Sequence, residues 1–69
     1  MKVSARNCIK GIVKKINIGA VNAEISMEVS SGFEITSIIT KSSAEALGLK
    51  EGSEVYAVIK ASDVMVATD

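Results

Sequence analysis

The stretch Val21-Asn22-Ala23-Glu24-Ile25-Ser26-Met27-Glu28-Val29 decides the reading of this chain. Apolar Val21, Ala23, Ile25, Met27 and Val29 alternate with polar Asn22, Glu24, Ser26 and Glu28. A period of two is the mark of a β-strand with one buried and one wet face. Ser30-Ser31-Gly32 follows as a hairpin turn. Phe33 to Thr40 is a third strand, rich in β-branched residues.

Upstream, Cys8 to Ile18 mixes apolar and basic residues around Gly11 and reads as the first strand. A glycine inside a strand marks a bulge or a close backbone approach. Gly19-Ala20 is a turn. Downstream the period changes. Ser42 to Leu47 reads as a short helix, capped by Ser or Thr and stopped by Gly48. Leu47 and Leu49 are expected to plug this turn onto the sheet. Lys50 to Ser53 is a turn. Val55, Ala57 and Ile59 alternate with Tyr56, Val58 and Lys60 in a fourth strand, and Ala61-Ser62-Asp63 interrupts it. Val64 to Ala67 is expected as a short fifth strand.

The expected fold is therefore mainly β. It is a five-stranded OB-like β-barrel with one short helix between strands 3 and 4. A barrel also removes the edges that so many Val and Ile strands would expose. A small open sheet pairing its edges between subunits is the alternative architecture.

Sixty-nine residues make one domain, residues 1–69. At this length only about 60% of the unfolded surface is buried, so stability needs a further source. Cys8 is the only cysteine, which excludes an internal disulfide. Histidine is absent, so a His/Cys zinc site cannot close. A homo-oligomer is the remaining source. The lack of histidine also removes Ser-His catalysis and the commonest general base, so an enzyme is not expected.

Eight basic and eight acidic residues cancel. A non-specific nucleic-acid binder normally carries a basic excess. No apolar run approaches the ~20 residues of a membrane span. No apolar segment of a signal peptide follows Met1 to Arg6, so the expected location is cytoplasmic and no membrane partner is expected.

Three segments offer donors for an anion. Ser4-Ala5-Arg6-Asn7 groups a hydroxyl, a guanidinium and an amide beside backbone N–H groups, a set suited to a small oxyanion. From spacing alone, an ordinary polar N-terminal arm is the favoured reading. Thr40, Ser42 and Ser43 precede the helix, where free N–H groups favour negative charge, and they also serve as a routine cap. Lys60-Ala61-Ser62 ends the fourth strand, where a lysine is commonly just solvated. Together the three supply Arg6, Lys60, hydroxyls and N–H groups with no acid among them. Glu45 and Asp63 lie just outside.

Other residues read more plainly. Lys14-Lys15 is a solvated strand face. Cys8 is a packed small hydrophobe, and Met27 and Met65 are core filler. Glu24 and Glu28 belong to the wet face of their strand. No direct protein ligand to a metal is expected.

Several stretches resemble one family. These are Met1–Asn7 (MKVSARN), Gly11, Gly19–Glu24 (GAVNAE), Ile35–Thr40 (ITSIIT), Ser43–Leu49 (SAEALGL), Glu51-Gly52 and Val58–Met65 (VIKASDVM). In this order and spacing they resemble the molbindins, the small Mop-type molybdate-binding proteins related to the TOBE domain. The resemblance covers essentially the whole chain. Cys8 departs from it, standing where Gln is frequent.

The resemblance implies an OB-like barrel and a hexamer, a trimer of dimers, holding oxyanions between subunits. It implies cytoplasmic storage of molybdate or tungstate, with no organic cofactor. Carried over by position, the oxyanion site falls on Ser4, Ala5, Arg6, Thr40, Ser43, Lys60, Ala61 and Ser62. Arg6 and Lys60 supply charge. Ser4, Thr40 and Ser43 supply hydroxyls, and Ala5 and Ala61 supply backbone N–H groups. A second class of site is placed at the turn Gly19, Ala20 and Val21. Two other functions stay open: an OB-type nucleic-acid module, with Phe33 and Tyr56 as its only stacking residues, and an oxyanion-sensing regulatory domain that binds other proteins.

Overall fold

The computed structural model describes all residues, Met1–Asp69. Strands β1 (Asn7–Ile18), β2 (Asn22–Ser30) and β3 (Phe33–Thr40) are followed by helix α1 (Lys41–Leu47) and strand β4 (Glu54–Ile59). A 3-10 turn, Ala61–Asp63, closes the order. The strands form one antiparallel sheet in the order β3-β2-β1-β4.

The alternation in β2 is realised at its centre. Ala23, Ile25 and Met27 are buried, whereas Val21 lies before the strand and is exposed. They join Val13, Ala44 and Ala57 in the core, with Ile16, Ile35, Ile39, Leu49 and Val55 packed around them.

The first strand resisted a simple period for a reason. Val13 pairs with Met27 and Lys15 with Ser26, so Lys14 is an extra residue, a β-bulge. A bulge reverses which residues face inward. Val13 and Ile16 thus reach the same side three positions apart. Gly11 answers the other expectation. A Cβ there would lie 2.9 Å from the Glu28 carbonyl oxygen and 3.2 Å from a Val29 methyl, so the backbones of β1 and β2 approach too closely for any side chain.

Helix α1 follows its sequence signals. Thr40 caps it, accepting a hydrogen bond from the Ser43 N–H at 3.0 Å. Gly48 ends it with φ 65°, the left-handed conformation that glycine adopts without strain. Only Ala44 of the helix is buried.

Five expectations need correction. The five-stranded closed barrel is observed as a four-stranded open sheet. Val64–Ala67 is not a strand: the turn at Ala61–Asp63 breaks the run of β4, and the segment beyond it makes no backbone hydrogen bond to the sheet. Met65 is accordingly 94% exposed and fills no core. Leu47 is 68% exposed at the rim of an apolar trough beside the sheet, leaving Leu49 alone to pack on the core. Cys8 is exposed, because β1 turns it away from the core beside outward Val58 of β4.

Only seven of the 69 residues are buried. That core is small even for a short domain, and it leaves the need for assembly in place.

Candidate functional site

The register of β1 against β4 builds the site. Asn7 stands opposite Ile59, the first residue of one strand against the last of the other. The segments just beyond that pair, Ser4–Arg6 and Lys60–Ser62, are therefore carried out of the sheet side by side. They line one small pocket of about 190 Å³: Ser4, Ala5, Arg6, Lys60, Ala61 and Ser62. The Asn7 side-chain amide donates to the Ile59 carbonyl at 3.3 Å and ties the two segments at their root.

The composition of this pocket suits an anion. It holds two cations and two hydroxyls and no carboxylate. Both ion pairs of the molecule lie elsewhere, Lys10–Glu54 at 2.8 Å and Lys14–Glu28 at 4.0 Å, so Arg6 and Lys60 remain unneutralised. The 3-10 turn closes with Asp63 N–H to Lys60 C=O and Val64 N–H to Ala61 C=O. Its leading N–H groups, on Ala61 and Ser62, have no partner within the turn and serve as further donors.

Thr40 and Ser43 are not part of this pocket. Thr40 pairs with Asn22, and Ile18 pairs with Ala23, so α1 begins at the other end of the 12-residue β1. Within one chain the third donor segment is far from the other two. It sits instead beside the turn Gly19–Ala20–Val21, where the Lys41 N–H donates to the Val21 carbonyl at 2.7 Å. The proposed second site and the helix cap thus share one end of the molecule.

Hydrogen bonding at the cap decides which hydroxyl is free. Thr40 Oγ1 accepts from the Ser43 N–H and donates to Ser43 Oγ at 2.7 Å. The Thr40 proton is therefore used internally. The Ser43 hydroxyl proton remains available to an acceptor outside.

Sequence reading missed Asn7 as a positioning residue. Its signal, a partner at Ile59, exists only once the register is set. Two other features bear on the alternatives. Phe33 and Tyr56 are exposed but lie on the two outer strands, β3 and β4, and form no shared stacking surface. No three or more Cys, Asp or Glu side chains cluster to hold a metal ion. No helix is long and apolar enough to cross a membrane.

The TOBE domain model matches residues 3–66. This chain belongs to the TOBE domain family, as a Mop-type molbindin. Its similarity to individual members runs end to end. It is 50% identical over 66 residues to Molybdenum-pterin-binding protein 1 of Clostridium pasteurianum, covering 96% of this chain and 97% of that protein. A molybdate-binding protein from Sporomusa ovata superposes with a TM-score of 0.92 at 38% identity, over 99% of this chain and all of that one. The cytoplasmic molybdate-binding protein ModG, solved with molybdate bound, superposes with a TM-score of 0.89 at 51% identity, over 94% of this chain and 46% of its own. This molbindin thus shares both sequence and backbone with proteins described as binding molybdate.

Proposed function

We propose that this protein binds molybdate, or the similar tungstate, as the bare oxyanion between subunits of a homo-oligomer. Its role is storage of molybdenum in the cytoplasm. The activity is binding and release, not catalysis, and the whole chain, residues 1–69, acts as one oxyanion-binding domain.

The observation that carries this reading is the pairing of Asn7 with Ile59, which gathers Ser4, Ala5, Arg6, Lys60, Ala61 and Ser62 around one carboxylate-free pocket. A tetrahedral dianion presents four acceptor oxygens. Arg6 and Lys60 answer its charge, Ser4 and Ser62 donate through hydroxyls, and the Ala61 and Ser62 N–H groups add direction. Partial desolvation between subunits strengthens each interaction, since attraction grows as effective dielectric falls. A neutral protein therefore needs only local charge to hold a dianion.

Thr40 and Ser43 enter through a second copy. They lie at the opposite end of β1 from Arg6, so a site that uses both ends needs two chains. The free Ser43 hydroxyl then completes the donor set. This favours a closed oligomer, proposed as a hexamer arranged as a trimer of dimers. The Gly19–Val21 turn, at the same end as Thr40, is the place proposed for a second class of site.

Some relatives carry pterin in their names. The bare oxyanion suits this pocket better. It is small, and none of its six lining residues is aromatic or large and apolar, as a bicyclic ring would require. Isothermal titration of molybdate tests the reading. Saturable binding in the wild type is expected, with none in a folded Arg6→Ala/Lys60→Ala double variant. Equal affinity in the two proteins would overturn the site.

A further inference from the structure

Asn7, Ile9 and Gly11 lie two apart on β1, in line with buried Val13. They stand opposite Ile59, Ala57 and Val55 of β4. Asn7 is the one polar side chain in this double row, and it is half-buried. Asparagine is depleted in strands. A position that breaks the local pattern of its face is where a functional constraint is expected.

The constraint is visible just beyond the strand. The β1–β4 ladder stops at Asn7 and Ile59, and no backbone hydrogen bond joins Ser4–Arg6 to Lys60–Ser62 past it. Those two segments carry Arg6 and Lys60, like charges lining one pocket with no acid between them. Like charges repel, and elements open most readily at their ends. The anion-free pocket is therefore pushed apart in the state that must receive the anion. One side-chain hydrogen bond ties the strands at this end, from the Asn7 amide to the Ile59 carbonyl. The Lys10–Glu54 ion pair lies further along the ladder.

We propose that Asn7 is the positioning residue that holds the two cationic walls together before the anion arrives, and that its neutrality fits it to this task. The inference rests on the oxyanion reading above and concerns the same pocket. An amide donates a hydrogen bond without carrying charge. An ionised aspartate of the same shape has no proton to donate to the Ile59 carbonyl, and it would set a carboxylate one residue from Arg6. With the walls already in place, less of the anion's attraction is lost to ordering them.

The test compares wild type, Asn7→Leu and Asn7→Asp as full chains. Backbone 15N relaxation is measured without anion, and molybdate affinity by titration calorimetry. In anion-free wild type, the N–H groups of Arg6, Ala61 and Ser62 are expected to be as ordered as those of the adjoining strands. Disorder there in the wild type would overturn the clamp, and that measurement needs neither a variant nor an oxyanion. Failure of wild type to bind molybdate would instead overturn the oxyanion reading. In Asn7→Leu, order at these three groups is expected to fall, and affinity to drop by roughly threefold to tenfold. Molybdate should restore the order. Wild-type affinity, or weaker binding with the order unchanged, would overturn the positioning role. Asn7→Asp is expected to bind more weakly than Asn7→Leu. Equal affinity in these two variants would overturn the requirement for a neutral residue.

Discussion

Asn7 and Ile59 face one another at the end of the β1–β4 ladder, and the Asn7 amide donates to the Ile59 carbonyl. Everything beyond this pair leaves the sheet together. Arg6 departs from one strand and Lys60 from the other, so two cations distant in sequence become walls of one pocket. Ordinary backbone pairing gives this chain its charge focus.

Arg6→Ala is predicted to weaken molybdate binding by roughly tenfold to a hundredfold. A hydrogen bond to a charged group contributes about 1.5–3 kcal/mol. Arg6→Lys should restore only part of this, because an ammonium lacks the planar fork of the guanidinium. Titration calorimetry on the three proteins checks the order. Equal affinity across the series would remove Arg6 from the site.

Two defective variants should rescue each other. Arg6→Ala/Lys60→Ala destroys one end of the molecule, and Thr40→Ala/Ser43→Ala destroys the other. Where each site takes one end from each of two copies, mixed oligomers contain some intact sites. Refolding the variants together is therefore expected to recover a fraction of the wild-type binding capacity. No recovery above the separate variants would mean that both ends act within one chain.

Gly11→Ala should destabilise the fold without touching the site. The new Cβ would meet the Glu28 carbonyl oxygen at 2.9 Å, and backbone cannot give way as a flexible side chain can. Forced overpacking costs about 1–3 kcal/mol. For a domain of this size each kcal/mol lowers Tm by roughly 4–8 °C. Thermal unfolding at fixed protein concentration measures it. An unchanged Tm would show that the β1–β2 approach is looser than described.

The Lys10–Glu54 pair predicts a modest pH dependence with two limbs. The hydrogen bond from Lys10, and then its charge, holds the Glu54 carboxyl below its usual value. The same hydrogen bond, then the charges of Glu54 and Tyr56, raise Lys10. The contribution of Glu54 is present above the ordinary carboxylate titration and is lost as pH falls through its lowered one. That of Lys10 is present below the ordinary lysine titration and is lost as pH rises through its raised one. Between about pH 6 and 9 this pair adds no slope. Both groups are exposed, so the effect is small and fades in high salt. Urea unfolding of wild type and Glu54→Gln against pH should differ in the acid limb. A difference that persists in molar salt would contradict the assignment.

Much of this was legible in the residues themselves. The alternation from Ala23 to Met27 and the Thr40 and Gly48 caps are local signals, and the chain obeys them. The bulge at Lys14 was not legible, because one extra residue reverses the inward face and leaves the composition unchanged. Cys8 and Leu47 were misplaced because their exposure depends on where an outward face or a helix end falls. Val64–Ala67 reads as a strand by composition, but a strand needs a partner, and beyond the Ala61–Asp63 turn the segment pairs with none. Ser4–Arg6 and Lys60–Ser62 stand out in the sequence for their chemistry, and the register brings them to one pocket. That Thr40 and Ser43 stand at the far end of β1 follows from topology, which residue types do not encode.

This chain is proposed to hold molybdate in an assembly of copies. Native mass spectrometry of the purified protein, with molybdate and with sulfate as control, tests it most directly. A discrete oligomer that gains molybdate masses, and gains none from sulfate, is predicted. A monomer that gains no molybdate, or an oligomer that takes both anions alike, would contradict it.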